Sequence, residues 1–425
     1  MWQKFKNFYH WINALVASVW FGFPSKKVYV IGVTGTNGKT TVVNLITEIL
    51  VKAGKDVGMS STINFRIKDK QWVNKTKFTT TSPFKLQRFM AQCVKAGCEY
   101  VVIETSSHAL DQNRVWGIVY DLAVLTNITR EHFDYHGNMV NYRLAKKRLF
   151  QITARKVKKK SGYVVINLAI DKPEEFLLAE KGKNVGYYYK KNNLQQSFVK
   201  EKDVTILKPE KVKTGVDKTS FQLDKIHYQL QLPGSFNIEN ALAAIAVGKI
   251  CSVKGEVMSR ALAEISNIPG RMEAVGNDRG LKIIIDYALT PDSMQQIGSF
   301  LQKRQKPGKK LIWIFGSCGN RDRGKRPIMG KIVEKFADLM IITNEDPYNE
   351  DPNAIIEEIY AGVKQKQKAK RILSRKRAIL EALKIAKTGD TVLITGKGAE
   401  ENMRVKDRFI QWNDKKTVKK ILNSP

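Results

Sequence analysis

Residues 32–41 combine glycine, threonine and lysine in an order suited to binding phosphate. The segment reads GVTGTNGKTT, and it stands between a short apolar run and a stretch with helical spacing. Glycines let the backbone turn sharply so that N–H groups converge on phosphate oxygens, and a helix start adds its dipole. Lys39 would supply positive charge to the β- and γ-phosphates of a nucleotide, and Thr40 a hydroxyl to Mg²⁺. Because Val33 stands where the strict GxxxxGK[ST] pattern has its first glycine, the segment is a variant phosphate-binding loop.

Acidic and imidazole side chains follow two further apolar runs. Glu104 comes directly after the run 100–103, where a carboxylate at the end of a parallel strand would face the ligand crevice. The loop after the run 122–125 carries oxygen and imidazole groups suited to Mg²⁺ and phosphate: Asn127, Glu131, His132, Asp134 and His136. We therefore expect a magnesium-nucleotide site at these strand ends.

The elements that must position these residues alternate along the chain. Short β-branched or apolar runs predict strands at residues 28–33, 100–103, 122–125, 164–166, 282–286, 311–315, 339–343 and 392–395. Helical spacing predicts helices at residues 40–53, 83–96, 141–152, 238–251, 291–302, 353–364 and 376–386. This alternation is typical of an α/β fold with parallel sheets. Residues 181–231 break the pattern and predict an antiparallel β insertion with loops.

Two boundaries divide the chain into three predicted segments. Residues 7–25 carry no formal charge and predict an amphipathic helix that ends before Pro24, with Phe8, Trp11, Ile12, Leu15, Val19 and Trp20 on its apolar face. This helix is expected to dock on the body of the protein, with a membrane-surface helix as the alternative. The second boundary lies at Pro269 and Gly270. The expected division is therefore 1–27, 28–268 and 269–425.

Composition restricts the class of protein. The 425 residues include 43% hydrophobic and 27% charged residues, which excludes a disordered or collagen-like chain. The net charge of +33 favours anionic partners without choosing among them. The four cysteines are scattered, so a zinc ribbon and a disulfide framework are both disfavoured and a cytoplasmic location is expected.

The ordered motifs of this chain resemble those of the Mur ligase family, most closely the MurE type that adds an amino acid to UDP-N-acetylmuramoyl-dipeptide. The resemblance runs in family order from about residue 28 to the end. It rests on VTGTNGKTT at 33–41, ETSSHALDQNR at 104–114, TNITREHFDYHG at 126–137, LPGSFNIENALAAIA at 232–246, PGRME at 269–273, DYALTPD at 286–292, NRDRGKRPIMG at 320–330 and GKGAE at 396–400.

The resemblance implies an ATP-dependent amide ligase of peptidoglycan precursor synthesis, with a central ATPase domain and a Rossmann-like C-terminal ligase domain. The substrate carboxylate would attack the γ-phosphate of ATP, and the amine of an amino acid would then displace phosphate from the acyl phosphate. The resemblance implies ATP and Mg²⁺ as cofactors, with Thr40, Glu104 and His132 as metal ligands. Lys39, Glu104, His132 and Lys146 would act in catalysis, and Lys146 matches a lysine that is carbamylated in the family.

Further contacts are implied by position. ATP would be bound by Gly35, Thr36, Asn37, Gly38, Lys39, Thr40, Thr41, Asn240, Arg271 and Asp286. The muramoyl-peptide would face Thr79, Thr80, Ser106, Gln112 and Arg114, and the amino-acid end would involve Arg321, Asp346, Gly396 and Glu400. The partners implied are these two substrates and no nucleic acid, and the protein is expected to be a monomer.

Several departures from the family pattern affect the expected substrates. Where diaminopimelate-adding members read Asp-Asn-Pro-Arg, residues 345–348 read EDPY, so a cation is lost and an acid gained. By the sign of the Coulomb interaction this disfavours a distal carboxylate and favours a distal ammonium, so L-lysine or another diamino acid is expected. Leu289 and Ala399 replace family histidines, and Thr81 replaces a proline.

The front of the chain departs most from the family. Only 27 residues precede the first predicted strand, fewer than the roughly 50 that an independent UDP-binding domain needs. The sequence leaves open how a uridine diphosphate would be held.

Two other readings remain open at the level of sequence. A folylpolyglutamate synthase-like ligase also lacks the UDP-binding domain, although such loops usually read Gly-Lys-Gly-Ser. A nucleic-acid-binding ATPase would suit the basic charge but needs basic stretches interleaved with aromatic residues, and only the short run 187–191 has that character.

Overall fold

The computed structural model describes residues 2–157, 162–179, 183–189, 196–215 and 218–423. Its α-helices are α1 Trp2–Trp20, α2 Lys39–Lys52, α3 Pro83–Lys95, α4 Ser107–Asp111, α5 Phe133–His136, α6 Met139–Val157, α7 Gln196–Glu201, α8 Phe236–Ile250, α9 Gly255–Glu264, α10 Pro291–Gln302, α11 Lys325–Phe336, α12 Pro352–Ala361, α13 Arg375–Ile385 and α14 Asp414–Leu422. Short 3₁₀ turns occupy Pro24–Lys26, Pro173–Phe176 and Lys366–Lys368. Lys190 and Lys191 of the basic aromatic run lie outside the described residues.

The strands alternate with these helices, as an α/β fold requires. They are β1 Tyr29–Thr34, β2 Val57–Ser60, β3 Asn64–Ile67, β4 Lys70–Val73, β5 Tyr100–Glu104, β6 Leu122–Leu125, β7 Tyr163–Asn167, β8 Asn184–Tyr187, β9 Val204–Leu207, β10 Glu210–Thr214, β11 Thr219–Leu223, β12 Ile226–Leu230, β13 Glu273–Val275, β14 Lys282–Asp286, β15 Leu311–Phe315, β16 Leu339–Thr343, β17 Ala369–Ile372, β18 Thr391–Thr395, β19 Asn402–Val405 and β20 Arg408–Gln411. The predicted fold class is confirmed.

The chain forms two compact units. The first comprises residues 1–129 and 138–266, and the second comprises residues 130–137 and 267–425. Each unit has its own main sheet and its own apolar core, and β10–β12 and β19–β20 form smaller separate sheets.

The sheet of the first unit has the order β4-β3-β2-β5-β1-β6-β7-β8-β9. In that order, the seven strands β2, β5, β1, β6, β7, β8 and β9 run parallel. β3 pairs antiparallel with β2, and β4 pairs antiparallel with β3 at the edge. β1 lies between β5 and β6, with Val33 paired to Glu104 and Thr34 to Leu125. The central strands are buried on both faces, as continuous apolar runs in parallel sheets usually are. This register brings the ends of β1, β5 and β6 to one edge of the sheet.

The predicted β insertion is only partly correct. β10, β11 and β12 form a separate antiparallel sheet, as expected. β8 and β9, in contrast, extend the main sheet in parallel, so residues 184–187 and 204–207 do not belong to the insertion. The buried ring of Tyr187, whose hydroxyl donates to the carbonyl oxygen of Leu125 at 3.0 Å, holds β8 in that sheet.

The sheet of the second unit has the order β13-β14-β18-β15-β16-β17. All neighbours run parallel except β13 and β14, which pair antiparallel. The carboxyl ends of β14, β15, β16 and β18 therefore share one edge, and the loops that follow them carry the residues expected to contact ATP and the amino acid.

Candidate functional site

The glycine-rich loop after β1 is fixed by hydrogen bonds from its main-chain N–H groups to the loop after β6. Thr36 donates its N–H to the carbonyl oxygen of Asn127 at 2.9 Å, and Asn37 donates its N–H to Asn127 Oδ1 at 2.8 Å. Gly35 must be glycine because a Cβ there would lie 1.9 Å from Thr126 Oγ1. The loop is thus held in a bent form against its neighbour. The sequence analysis grouped Asn127 with residues suited to Mg²⁺ and phosphate, and in the structure its side chain bonds the glycine-rich loop.

The start of α2 carries the lysine and the hydroxyl expected to meet phosphate and metal. Gly38 has a positive φ of 82°, and a Cβ there would lie 2.4 Å from Asn240 Oδ1. Lys39 Nζ donates to the carbonyl oxygens of Thr36 at 2.8 Å and Gly35 at 3.2 Å. The loop therefore brings together Lys39 and Asn240, two of the predicted ATP-binding residues, with Gly38 between them. Gly35, Thr36, Asn37 and Thr41 lie in the same loop and first helical turn.

Thr40 and Glu104 form a buried pair of oxygen donors. Glu104 Oε2 accepts from Thr40 Oγ1 at 2.9 Å and from the N–H of Thr62 at 2.7 Å, and Thr40 and Glu104 are each 1% exposed. Thr62 had no signal in the sequence. A hydroxyl and a carboxylate are hard oxygen donors of the kind that Mg²⁺ prefers. Among the residues that the structure describes, no group of three His, Cys, Asp or Glu side chains is arranged to hold a metal ion. Mg²⁺ usually takes one or two carboxylates together with water and substrate phosphates, so the pair fits this ion.

Lys146 on α6 reaches the glycine-rich loop from the side. Its side chain is 1% exposed, and Nζ donates to the carbonyl oxygen of Gly35 at 2.6 Å. The ammonium lies 4.3 Å from the ring centroid of Tyr142, whose hydroxyl is 3.0 Å from Thr36 Oγ1. Lys146 is thus a buried lysine in contact with the loop, unlike a lysine on an exposed helix face.

Four of the five residues expected to face the muramoyl-peptide lie beside Glu104. Thr80 Oγ1 donates to the carbonyl oxygen of Glu104 at 2.9 Å and accepts the N–H of Ser106 at 2.9 Å. Arg114 donates to the carbonyl oxygen of Thr80, and Thr79 Oγ1 accepts from Thr62 Oγ1 at 3.1 Å.

The same residues define the start and the end of α4. Ser106 caps the helix by accepting the N–H of Ala109, and Gln112 ends it with a main-chain bond to His108. The fifth predicted residue, Gln112, follows Ser106 by six residues and is placed by the helix rather than by Glu104.

His132 belongs to the segment 130–137, which is grouped with the second unit. It has a left-handed backbone with φ of 59°, and its Nε2 lies 3.7 Å from Glu131 Oε2. Burial raises the pKa of Asp134 above its usual value, an effect that Arg321 opposes. The role of His132 as a metal ligand stays a prediction.

Asp286 and Arg271 lie together at the end of β14. Asp286 accepts the N–H groups of Met272 and Ala288, both at 2.7 Å, and the guanidinium of Arg271 lies 4.7 Å from the ring centroid of Tyr287. Burial raises the pKa of Asp286 above its usual value, and the positive charge of Arg271 only partly offsets this effect. This geometry presents a fixed carboxylate and an aromatic-backed guanidinium at one strand end.

A buried lysine that the sequence analysis missed joins two predicted residues. Lys397 Nζ donates to Asp346 Oδ2 at 2.6 Å and also bonds Glu400, whose Oε1 accepts from Tyr287 at 3.1 Å. Burial opposes the charge of Lys397, but Glu400 and Asp346 outweigh it and raise its pKa. The GKGAE segment contained this signal, because Lys397 stands between Gly396 and Glu400.

The loop after β16 is enclosed by its neighbours. Glu345 is 1% exposed and accepts from the thiol of Cys318 at 3.2 Å, and a Cβ on Gly396 would lie 1.9 Å from Glu345 Oε2. The guanidinium of Arg321 lies 5.5 Å from the ring centroid of Tyr348. Arg321, Asp346, Gly396 and Glu400 thus occupy adjoining loops at one edge of the second sheet.

Comparison with known proteins assigns the class of protein that this fold and these loops define. The sequence profile of the Mur ligase middle domain matches residues 33–248, and that of the Mur ligase glutamate ligase domain matches residues 270–398. The chain therefore belongs to the Mur ligase family, and it is an ATP-dependent amide-bond ligase.

Individual relatives show which type of Mur ligase the chain resembles. The chain is 38% identical over 416 residues to the UDP-N-acetylmuramoyl-L-alanyl-D-glutamate–2,6-diaminopimelate ligase of Syntrophomonas wolfei, covering 96% of this chain and 81% of that protein. The enzyme of the same name from Aquifex aeolicus is 36% identical, with coverage of 96% and 80%. A solved structure of an enzyme of that name has 27% identity and a TM-score of 0.60, covering 93% of this chain and 78% of the other. The MurE-type resemblance is confirmed.

A Mycobacterium tuberculosis folylpolyglutamate synthase shares the fold alone. It has a TM-score of 0.65 at 16% identity, covering 91% of this chain and 92% of the other.

Proposed function

We propose that the protein joins a diamino acid to the carboxylate of a UDP-N-acetylmuramoyl-dipeptide-like acceptor in peptidoglycan precursor synthesis. ATP would first convert the carboxylate into an acyl phosphate, and the amine would then expel phosphate. The observation that carries this proposal is the adjacency, within one unit, of the Thr40–Glu104 pair and the polar set formed by Thr80, Ser106 and Arg114.

The loop residues have separate roles in the proposed first step. The N–H groups of the loop and Lys39 would hold the phosphates, and Asn240 would fix the turn at Gly38. Thr40 and Glu104 would hold Mg²⁺, which would supply positive charge to the phosphoryl group during transfer, and His132 would hold a second Mg²⁺. Thr79, Thr80, Ser106, Gln112 and Arg114 would orient the acceptor carboxylate. Positioning and charge neutralisation account for most catalysis of phosphoryl transfer.

Lys146 is proposed to be carbamylated. The ammonium would first lose a proton, and the neutral amine would then add CO₂ and release a second proton, so that a cation becomes a carbamate anion. The buried position of Lys146 against the loop supports this proposal, because an anion there would be placed to support a metal ion rather than to repel it.

The second unit is proposed to provide the remaining contacts. Arg271 and Asp286 would contact ATP, while Arg321, Asp346, Gly396 and Glu400 would contact the amino acid. We also propose a domain boundary between residues 268 and 269 and a separate N-terminal segment, residues 1–27. We also propose that the protein is cytoplasmic and monomeric and that it has no nucleic-acid partner.

We propose L-lysine as the amino acid, on the strength of Tyr348. The relatives are named for 2,6-diaminopimelate, whose second carboxylate would need a cation. Residue 348 here is a tyrosine with φ of 50°, packed against Arg321. The acid gained relative to the family motif is Asp346, and it is paired with Lys397, so the arginine lost at position 348 carries the Coulomb argument.

A single assay tests the ligase proposal. Phosphate release is measured with a panel of UDP-muramoyl-peptides and amino acids, and the product is identified by mass. We expect turnover only when acceptor and amino acid are both present, and its loss in Lys39→Ala. The matched control is Lys52→Ala, which removes a lysine at the far end of α2 that pairs with Glu264 on the surface. Turnover with folylglutamates, or DNA-stimulated hydrolysis without amino-acid dependence, would refute the proposal.

The same panel tests the amino acid. Lysine should be used with a higher kcat/KM than ornithine or diaminopimelate. A preference for diaminopimelate would overturn the choice of lysine and leave the ligase proposal intact. If diaminopimelate is preferred, residue 348 does not determine the choice of amino acid, and Tyr348→Arg should leave the order of preference among the amino acids unchanged.

A further inference from the structure

The first helix has two apolar faces, and only one of them is covered. Ala14, Ala17 and Ser18 are completely buried in the first unit. The other face exposes large side chains at helical spacing, among them Phe5 at 72% and Trp20 at 77% of their surface. The prediction that the helix docks on the protein is therefore confirmed, but the completely buried residues of its docking face are small. The predicted apolar face is only partly a docking face: Trp11 packs against Trp116 and Leu15 is half-buried, whereas Phe8, Ile12, Val19 and Trp20 are exposed.

Polar anchors fix which face points outward. Ser18 Oγ donates to the carbonyl oxygens of Ala14 at 2.6 Å and Trp116 at 3.2 Å, and Gln87 Nε2 donates to Ser18 Oγ at 2.9 Å. Asn7 Nδ2 donates to Asp111 Oδ2 at 3.3 Å. A rotation of α1 that buried the outer face would break the bonds to Trp116, Gln87 and Asp111, so the outer face stays outward.

The outer face is a continuous apolar stripe. It consists of Phe5, Phe8, Tyr9, Ile12, Val16, Val19 and Trp20. At 1.5 Å per residue the stripe runs for about 22 Å along the helix. A contiguous exposed stripe of aromatic and aliphatic side chains on a folded protein marks an interaction surface.

The charge around this stripe is mainly positive, and Asp111, which accepts from Asn7, is itself paired with Arg148. The first acidic residue of the chain is Glu48, and the exposed residues before it include Lys6, Lys26 and Lys27. α3, which packs against α1, contains no Asp or Glu and exposes Lys85, Arg88 and Lys95. An apolar stripe with basic surroundings and aromatic residues is the pattern of a helix that lies in a membrane interface.

We propose that α1 binds the surface of an anionic membrane, with the stripe inserted among the acyl chains and the lysines at the headgroups. Across the described ranges from 2 to 423, no helix is long and apolar enough to cross a membrane, so the helix would lie in the interface. A second copy of the chain fits less well, because pairing two such surfaces would bring like charges together. The proposal does not depend on the ligase substrates.

Vesicle sedimentation tests this. The full chain is mixed with vesicles of equal parts phosphatidylglycerol and phosphatidylcholine, or of phosphatidylcholine alone. We expect binding to the anionic vesicles to be at least about tenfold tighter than to the neutral ones, and to weaken at about 0.5 M salt. The triple variant Phe8→Ala, Val16→Ala, Trp20→Ala should lose at least about tenfold in binding to anionic vesicles. Alanine favours the helix, so circular dichroism should be unchanged.

The control removes apolar surface elsewhere. Leu380 and Phe409 are exposed at 49% and 55%, and Leu380→Ala with Phe409→Ala should bind vesicles like the unchanged protein. Equal binding by the triple variant would overturn the proposal, since a general basic attraction would then suffice. A dimer by light scattering that the triple variant dissociates, without vesicle binding, would assign the stripe to a second copy instead.

Discussion

At the scale of single residues, the unit containing the glycine-rich loop combines two kinds of buried polar group. Thr40 and Glu104 supply oxygen, and Lys39 and Lys146 both donate to the carbonyl oxygen of Gly35. A carbonyl oxygen has two lone pairs and can accept both bonds, but two ammonium groups held this close repel each other. This arrangement makes the charge state of Lys146 the most informative single property of the site.

Replacing Lys146 with alanine should lower turnover by about 100-fold, the size expected when one preorganised electrostatic partner is lost. If the lysine is carbamylated, millimolar acetate should restore part of the activity, because it replaces the missing carboxylate. Lys147→Ala, the adjacent lysine, is the control and should neither lose activity nor respond to acetate. Steady-state kinetics with and without acetate measure both effects. An inactive Lys146→Ala that acetate does not restore would argue against carbamylation.

Glu345 should make stability depend on pH. Burial raises its pKa above the usual value, an effect that Arg375, the Cys318 thiol and Lys397 only partly oppose. The folded state therefore binds the proton more tightly than the unfolded state, and the free energy of unfolding should fall as pH rises above about 4.3. In Glu345→Gln this contribution disappears, so the variant should gain stability relative to the unchanged protein as pH rises, by at most about 1.4 kcal/mol per pH unit.

Urea unfolding at several pH values between 4.5 and 7.5 measures the effect of Glu345. Glu357→Gln, which alters an exposed pair with Arg371, is the control and should follow the unchanged protein. Parallel stability curves for Glu345→Gln and the unchanged protein would contradict the expectation.

At the scale of elements, both sheets place their polar loops at the carboxyl ends of parallel strands. β1, β5 and β6 end at the glycine-rich loop, Glu104 and Asn127, and β14, β16 and β18 end at Asp286, the loop with Asp346, and Gly396. The sheets therefore explain how residues that are distant in sequence become neighbours. α2 adds the precise backbone turn on which phosphate binding depends.

Gly38→Ala should weaken ATP binding at least about tenfold, because the new Cβ would lie 2.4 Å from Asn240 Oδ1 and the positive φ disfavours alanine. Gly54→Ala, beyond the other end of α2, is the matched control. It shares a positive φ of 78° but has open space around it, so it should cost about 1–2 kcal/mol of stability and leave ATP affinity unchanged. Calorimetric titration and thermal unfolding separate the two effects. Similar ATP affinity in both variants would contradict the role given to the turn.

The sequence predicted the buried central strands well and the edges poorly. The strands at 122–125, 282–286, 311–315 and 339–343 have the predicted bounds, because buried parallel strands are apolar runs with clear ends. β4 was missed because its four residues are all exposed and carry no apolar run. β8 was assigned to the wrong sheet because the packing of Tyr187 determines which strands β8 lies beside. Composition does not reveal this packing.

The candidate site was predictable where motifs are contiguous and not where a partner comes from elsewhere in the chain. The glycine-rich loop and Glu104 were evident from local spacing. Thr62, which donates its N–H to Glu104, has no motif of its own, since a main-chain donor leaves no signal in residue type. Lys397 lay inside a recognised segment, but its burial and its two carboxylate partners appear only in the folded chain.

At the scale of the whole molecule, the second unit has the features of an independently folding domain. The second unit contains a complete six-stranded sheet and an apolar core made from its own strands and helices. Only a short segment, residues 130–137, joins it from another part of the chain. Because α13 and α14 also pack within this unit, its core needs no strand from the first sheet.

Residues 267–425 expressed alone should therefore fold and unfold cooperatively. Trp313 is completely buried and donates Nε1–H to Thr395 Oγ1 at 3.0 Å, so near-UV circular dichroism should report native packing in the fragment. Ile341→Ala, which removes a buried side chain from β16, should cost the fragment about 2–5 kcal/mol in urea unfolding. Leu373→Ala, at a position 44% exposed in the same unit, should change it by no more than about 0.5 kcal/mol. A fragment without a near-UV signal, or one in which both substitutions have the same effect, would show that this core depends on the rest of the chain.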